Sequence, residues 1–136
     1  MLQLCYNYIT KILHPTRIIS NEKVFDELFN TPERPVYTKV RNSAPTYYSP
    51  EAKIVDSLIA DGCRIEGTVE NSILFRGVKI GKDTVVKNSI LYQDVFTGEN
   101  VSLNYVIADK NVTIHDDTTL SGAESLPFYI QKGKMI

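Results

Sequence analysis

Side chains that commonly bind metals or act as bases and nucleophiles are few and scattered in this sequence. The two histidines are His14 and His115, and the two cysteines are Cys5 and Cys63. A catalytic zinc ion needs three protein ligands, and two histidines at unrelated positions do not supply them alone. The cysteines form neither a CxxC motif nor a disulfide framework, which is typical of reduced thiols in a cytoplasmic protein. The sequence therefore predicts no metal centre, no cofactor and a cytoplasmic location.

Acidic residues are the most numerous candidates for chemistry, and they fall where turns are expected. Asp116 and Asp117 lie a few residues after Asp109, and three such carboxylates could hold a divalent ion. Aspartate is also favoured in turns for reasons of backbone conformation alone, so a solvated surface is the simpler interpretation. We assign no catalytic or metal-binding role to any of the acidic residues considered, which are Asp56, Asp61, Glu66, Glu70, Asp83, Asp94, Glu99, Asp109, Asp116 and Asp117.

Three arginines, Arg41, Arg64 and Arg76, are the candidates for binding anions. No glycine precedes Gly62, so residues 1–61 contain no glycine-rich loop of the kind that holds nucleotide phosphates. The formal net charge of −1 does not indicate nucleic acid or an anionic membrane as a partner. No apolar run approaches the roughly 20 residues that a membrane-spanning helix needs. We therefore expect neither nucleic acid nor membrane among the partners.

The sequence contains an internal repeat of 17 residues, which predicts the secondary-structure elements that position these side chains. Residues 71–87, 88–104 and 105–121 align with one another, and the aligned rows are Ile73, Ile90 and Ile107; Val78, Val95 and Val112; Ile80, Thr97 and Ile114; Thr84, Val101 and Thr118; and Val86, Leu103 and Leu120. A shorter copy begins at residue 56 and lacks two residues between Glu66 and Val69. Fixed-period self-similarity of this kind is the signature of a solenoid.

The composition of the repeat favours strands over helices. Its units are rich in Val, Ile and Thr, and helical repeats need units of about 33 residues. Segments of about five residues, each ended by a corner, predict a three-sided β-helix of about four coils. We expect aliphatic rows such as Ile73, Ile90 and Ile107 to point inward.

Corner residues follow the same register. Asp83, Asn100 and Asp117 stack, and both residue types tolerate the positive φ that tight corners need. Gly81 and Gly98 form a second row, in which His115 takes the third place. The corners are therefore expected to repeat from coil to coil.

The remainder of the chain divides into short segments around the solenoid. We assign residues 1–20 to an unmatched amino-terminal segment, 21–51 to a helix and connector, 52–122 to the β-helix and 123–136 to a carboxy-terminal cap. Within the second segment we predict a helix at 21–29, a strand at 36–40 and an extended connector at 41–50. Residues 128–130 and 135–136 flank a Lys-Gly-Lys turn and predict a hairpin-like cap over the last coil. The fold class is mainly β, with a short helical and extended segment at the amino terminus.

Four stretches resemble the carboxy-terminal domain of one enzyme family. They read PVYTK at 35–39, ADGCRIEG at 60–67, NSILFRGV at 71–78 and DKNV at 109–112. In this order they resemble ADP-glucose pyrophosphorylase, the glucose-1-phosphate adenylyltransferase of bacterial glycogen synthesis, over residues 21–136. Within that family the resemblance is to the D-type glycogen-biosynthesis subunit in particular. It implies a left-handed parallel β-helix of hexapeptide repeats, an exception to the usual right-handed crossover.

The chain departs from this family's pattern in two places. The family's nucleotidyltransferase domain would precede residue 21, where twenty unmatched residues stand. His115 replaces the proline that usually follows the last repeat motif. We therefore expect a detached carboxy-terminal domain with a structural, oligomerising and regulatory role, and with no complete active site of its own.

The expected partners are a second copy of the chain and a catalytic adenylyltransferase subunit, and the resemblance also implies a sugar-phosphate effector. Self-association is expected because removal of a catalytic domain would expose Phe25, Phe29 and the connector tyrosines Tyr47 and Tyr48. The alternative function is a hexapeptide-repeat acyltransferase that uses coenzyme A, because such enzymes use a histidine base and His115 lies on a coil. We favour the other interpretation of His115, a residue at a solvent-facing corner.

Overall fold

The computed structural model describes residues 40–136 and, before them, only Lys23, Asp26, Pro32 and Glu33. These residues form fifteen short strands in three sheets of five. The first sheet contains β1 (Tyr47–Tyr48), β4 (Arg64–Ile65), β7 (Lys79–Ile80), β10 (Phe96–Thr97) and β13 (Thr113–Ile114). The second contains β2 (Lys53–Val55), β5 (Thr68–Glu70), β8 (Val85–Lys87), β11 (Ser102–Asn104) and β14 (Thr119–Ser121). The third contains β3 (Leu58–Ile59), β6 (Ile73–Leu74), β9 (Ile90–Leu91), β12 (Val106–Ala108) and β15 (Phe128–Ile130).

Successive strands belong to successive sheets, so the chain winds around a three-sided prism of parallel strands. Thr68 pairs with Val85, and Val85 pairs with Ser102, which are steps of 17 residues. Arg64 pairs with Lys79 at a step of 15, so the two residues missing from the short coil lie between Ile65 and Thr68. The parallel β-solenoid of about four turns, with one short coil, is therefore confirmed.

Left-handed backbone conformations mark all three corners of the prism. The predicted row Asp83, Asn100 and Asp117 has φ of 54°, 54° and 58°, as expected. The other two corners carry Asp56, Asn71, Asn88 and Tyr105, and Gly62, Gly77, Asp94 and Asn111. Asp, Asn and Gly reach this conformation at a lower cost than other residues, which explains why they recur at the period of the solenoid.

Side-chain amides join one coil to the next at two of these corners. Asn71 Nδ2 donates to Asn88 Oδ1 at 2.7 Å, and Asn88 Nδ2 donates to Asn104 Oδ1 at 3.1 Å. At another corner, Asn100 Nδ2 donates to Asp117 Oδ1 at 2.8 Å. The corner residues therefore serve both the turn and the stacking of coils.

Aliphatic rows fill the interior of the prism. In the second sheet Val69, Val86 and Leu103 stack with exposed fractions of 0%, 0% and 1%. The other two sheets add Ile65, Ile80, Ile114, Leu74, Leu91 and Ala108 to the same cluster. Burial of such side chains contributes about 1.5–3 kcal/mol each and is the main stabilising term of the fold.

One predicted row has the wrong direction. Val106 and Ala108 belong to the interior cluster, and Ile107 stands between them on β12, where successive side chains point to opposite faces. Ile107 and its pair Ile90 therefore lie on the outer face of the third sheet. The row of Ile90 and Ile107 and the neighbouring row of Leu91 and Ala108 are both apolar. The 17-residue repeat therefore did not show which of the two rows points inward. Ile90 is still only 1% exposed.

Buried hydroxyl groups continue the backbone ladder inside the prism. Ser89 Oγ donates to Lys87 O at 2.6 Å and accepts the N–H of Val106 at 3.1 Å. Ser72 repeats this arrangement one coil earlier, accepting the N–H of Ser89 at 3.1 Å. Each hydroxyl thus satisfies a corner N–H that the sheets leave unpaired, as buried donors require.

The carboxy-terminal segment is not the hairpin-like cap that the sequence predicted. Phe128–Ile130 pairs in parallel with Val106–Ala108, and Met135 forms a parallel bridge with Thr113. The segment therefore continues the winding as part of a further coil, after a short turn in which Ala123 bridges Leu126. A hairpin would have reversed the chain, whereas Gly133, at φ 70°, turns it as the earlier corners do.

The solenoid also begins earlier than the repeat indicated. Tyr47–Tyr48, in the predicted connector, pairs with Arg64–Ile65 as the first strand of the first sheet. Of the predicted helix at 21–29, Lys23 and Asp26 are described and are helical, and the other residues of that range lie outside the described part. Residues 1–20, and residues 36–39 of the predicted strand, lie outside it too.

Candidate functional site

His115, the histidine considered as a general base, lies on an exposed corner just after β13. Its backbone N–H donates to the carbonyl oxygen of Ile136 at 2.7 Å, so the residue helps to hold the end of the chain. A general base acts from a site where it reaches a bound substrate. The exposed corner supplies no such enclosure, and the structure does not favour the acyltransferase alternative. His14 lies outside the described residues.

The carboxylates considered as ligands of a divalent ion take part in local structure instead. Asp109 accepts the N–H of Lys110 at 2.7 Å and the hydroxyl of Tyr129 at 3.1 Å. Asp116 Oδ1 accepts the N–H of Glu99 at 2.8 Å. In the part of the chain that the structure describes, no group of three His, Cys, Asp or Glu residues could hold a metal ion. Partial burial raises the pKa of Tyr129, and the hydrogen bond to Asp109 adds to the shift.

Each arginine considered as an anion contact is paired with a carboxylate. Arg64 Nε lies 2.5 Å from Glu66 Oε1, and Arg76 Nε lies 3.0 Å from Asp61 Oδ1. Arg41 Nη1 lies 3.5 Å from an oxygen of Asp94, in a pair that is half exposed. Each pairing offsets the charge of its arginine, so these contacts do not favour a phosphate-binding role.

Cys63 is a buried thiol in the interior of the second coil, with 3% of its surface exposed. Its Sγ donates to the carbonyl oxygen of Phe75 at 3.2 Å. Burial raises the pKa of this thiol above its ordinary value, which disfavours the nucleophilic thiolate. Cys63 is therefore a packing residue rather than a nucleophile. Cys5 lies outside the described residues.

A shallow groove of 310 Å³ crosses the outer face of the first sheet. Its floor is backbone at Gly81 and Gly98, and six side chains surround it, those of Arg64, Glu66, Lys79, Phe96, Glu99 and Asp116. The floor stays bare because a Cβ on Gly81 would overlap the carbonyl oxygen of Gly98 in the next coil. A Cβ on Gly98 would likewise approach the backbone N of Asp116 to 2.8 Å.

Reasoning from the sequence did not assign the groove, although one residue signalled it. Phe96 pairs in register with Lys79 and Thr113, so an aromatic ring stands between two polar residues in an outward row of the first sheet. Phe96 is 46% exposed, while its neighbour Thr97 is fully buried. An aromatic residue on the outer side of a repeat was therefore the available signal. The bare floor was harder to foresee, because it depends on the distance between coils.

Among the described residues, no helix is long and apolar enough to cross a membrane.

Comparisons with known proteins agree with the repeat and with the four motifs. The family described as GlmU-like, C-terminal hexapeptide matches residues 44–125, more than half of the chain. Glycogen biosynthesis protein GlgD of Bacillus subtilis is 44% identical over 102 residues, covering 75% of this chain and 30% of the relative. The GlgD protein of Geobacillus stearothermophilus is 47% identical over 110 residues, covering 81% of this chain and 32% of the relative.

Glucose-1-phosphate adenylyltransferase of Geobacillus stearothermophilus is similar over a shorter stretch. It is 56% identical over 52 residues, covering 38% of this chain and 13% of that enzyme. The chain thus spans about a third of the length of the GlgD relatives that it matches. The resemblance inferred from the four motifs is confirmed, and the chain belongs to the GlmU-like family of carboxy-terminal hexapeptide domains.

Proposed function

We propose that this solenoid is a non-catalytic domain that acts in glycogen biosynthesis. Its role is to bind a subunit of the adenylyltransferase type and to keep that subunit in an oligomer. The observation that carries the proposal is the identity of 44–47% to two GlgD proteins over three quarters or more of this chain. Both relatives are described as glycogen biosynthesis proteins.

The polar side chains of this domain mainly stabilise its fold, which supports a structural role for the domain. Corner acids and amides hold turns, and buried hydroxyl groups hold the ladder between coils. Within the described residues, every buried side-chain nitrogen or oxygen has a hydrogen-bond partner. Catalytic sites commonly leave polar groups buried and unsatisfied, so complete pairing of the buried groups is what a structural role predicts.

Exposed apolar residues at the first coil support association with a partner. Tyr48 and Ile54 lie in register with interior rows but are 48% and 36% exposed. Val55, beside them, is 51% exposed. Apolar surface on an open strand edge favours contact with another chain. The partners that we propose are a second copy of this chain and a catalytic adenylyltransferase subunit, with a sugar-phosphate effector as ligand of the assembled protein.

Pyrophosphate release from ATP and glucose-1-phosphate, measured with magnesium and the purified chain, tests the non-catalytic part of this proposal. We expect no turnover above background, because adenylyl transfer needs a triphosphate and a sugar phosphate aligned for in-line attack. Turnover that disappears on substitution of a residue in this chain would contradict the proposal. A full-length adenylyltransferase, assayed in parallel, controls for active reagents.

A further inference from the structure

We infer that the groove on the first sheet binds a neutral saccharide unit, recognised through its ring face and its hydroxyl groups. This inference goes beyond the proposed function and does not depend on it. The groove combines an exposed aromatic ring, a backbone floor and charged groups of both signs, in a volume of 310 Å³. Small-molecule sites usually begin at about 300 Å³, so a single sugar ring is the appropriate size of ligand.

The charges around the groove argue against an anionic ligand. Glu66, Glu99 and Asp116 supply three carboxylates, whereas Arg64 and Lys79 supply two cations. Arg64 is already bound to Glu66 through Nε, and its guanidinium lies 5.0 Å from the centre of the Tyr47 ring. The balance around the groove is therefore negative, and it disfavours a phosphate or carboxylate ligand.

Hydroxyl groups suit this set of side chains because they both donate and accept hydrogen bonds. Carboxylates only accept, and guanidinium and ammonium groups only donate, so a ligand that satisfies both kinds must do both. Asp116 uses Oδ1 to accept the N–H of Glu99, which fixes the orientation of its carboxylate beside the groove. Hydrogen bonds to ionised groups are stronger than neutral ones, which favours a polyhydroxylated ligand at an open site.

Phe96 provides the apolar part of the site. Its side chain is 46% exposed on the outer face of β10, next to the bare floor at Gly98. One face of a sugar ring carries C–H groups and packs against an aromatic ring, which buries apolar surface on both partners. The aromatic ring and the polar rim together select a ligand that has an apolar face and hydroxyl groups at its edge.

Calorimetric titration of the whole chain with maltotriose tests this inference. We expect saturable binding with a Kd of about 1 mM, a value appropriate to a shallow site. Phe96→Ala should raise the Kd by about tenfold, through loss of the stacked face. Glu99→Gln should also raise it, through loss of a charged acceptor. Phe128→Ala is the matched control, because Phe128 is similarly exposed, at 42%, but lies on the third sheet. The Kd of this variant for maltotriose should equal that of the parent chain.

Three results would overturn the inference. The first is the absence of saturable maltotriose binding across the millimolar range. The second is an equal loss of affinity in Phe96→Ala and Phe128→Ala. The third is tighter binding of glucose-1-phosphate than of maltotriose, with loss in Lys79→Ala, which would identify an anion site. Circular dichroism of each variant confirms that it is folded, and Glu99→Gln tests the site if Phe96→Ala does not fold.

Discussion

The middle coils and the end coils share the same interior row but differ in how well it is buried. In the second sheet the row runs through Ile54, Val69, Val86, Leu103 and Leu120. Val69 and Val86 are fully buried and Leu103 is 1% exposed, whereas Ile54 is 36% exposed and Leu120 is half buried. Each coil of a solenoid is covered only by its neighbours, so its stability depends on having a neighbour on both sides. The end coils are therefore where a partner would add most.

The largest effect in this comparison is expected from Leu103→Ala. Leu103 lies between Val86 and Leu120 and is 1% exposed, so the substitution should lower the free energy of unfolding by about 2–5 kcal/mol. Leu120→Ala is the matched control, with the same change in the same row. It should cost less, below about 2 kcal/mol, because solvent already reaches Leu120. Denaturant unfolding of both variants measures the difference, and equal costs would refute the distinction between middle and end coils.

The serine ladder should show the same distinction with a smaller effect. Ser89→Ala removes a hydroxyl that accepts the buried N–H of Val106 and donates to Lys87 O, and should cost about 1–3 kcal/mol. Ser57→Ala removes the equivalent hydroxyl at the first coil, which serves Ser72 and Val55 but is partly solvated. We expect less than about 1 kcal/mol there, because water replaces the hydroxyl. Thermal unfolding of both variants measures the difference. A larger loss of stability in Ser57→Ala would show that burial does not determine how much each serine hydroxyl contributes.

One corner of a middle coil carries a residue whose side chain is poorly suited to the backbone conformation there. We expect a substitution at this position to stabilise the protein. Tyr105 has φ 52°, in the row that elsewhere contains Asp56, Asn71 and Asn88. Bulky residues pay roughly 1–2 kcal/mol for this conformation and Asn pays less, so Tyr105→Asn should stabilise by about 1 kcal/mol. Asn88→Tyr is the reverse change and should destabilise, since it also removes the amide bonds to Asn71 and Asn104. A lower melting temperature for Tyr105→Asn would show that the Tyr105 ring contributes packing that outweighs the strain.

The smallest expected effect is a loss of stability at alkaline pH that arises from Cys63. Burial raises the pKa of this thiol above its ordinary value of 9.0, so the folded state favours the protonated form. The contribution to stability is fully present below the pKa of the unfolded chain and is lost as pH rises through the pKa of the folded state. Cys63→Ala should therefore lose less stability than the parent between neutral pH and about pH 10. The free energy of unfolding of both proteins is measured by urea unfolding at several pH values. The same dependence on pH in the two proteins would contradict this assignment.

The sequence predicted the solenoid well because each coil repeats the same physical demands. Stacked aliphatic residues and corner Asp and Asn residues recur at 17 residues, and the short coil was located correctly. Prediction failed where the period gave no information. Ile90 and Leu91 are both apolar and buried, so their direction depends on the strand's orientation in the prism. The ends failed for a related reason, because Tyr47–Tyr48 and Phe128–Ile130 join the sheets although their sequences diverge from the repeat.

The groove shows the limit of residue spacing as a guide to sites. Its side chains come from four successive coils, and they lie either on the outer face of the first sheet or at the adjacent corner. Asp116 was considered as a cation ligand, and Arg64 as an anion contact. The structure places both beside Phe96 and pairs each of them with a group of the protein. Only the stacking of coils brings these residues together.

Sedimentation velocity tests most directly the central claim that this domain binds a partner. The chain is run alone at tens of micromolar and then with a purified glucose-1-phosphate adenylyltransferase, and Ile54→Lys is run in parallel to place a charge on the exposed first coil. We predict a species larger than monomer, or co-sedimentation with the enzyme, and a weaker association for Ile54→Lys because a charged side chain at an apolar contact must be desolvated. A chain that remains monomeric and sediments separately from the enzyme would contradict the account.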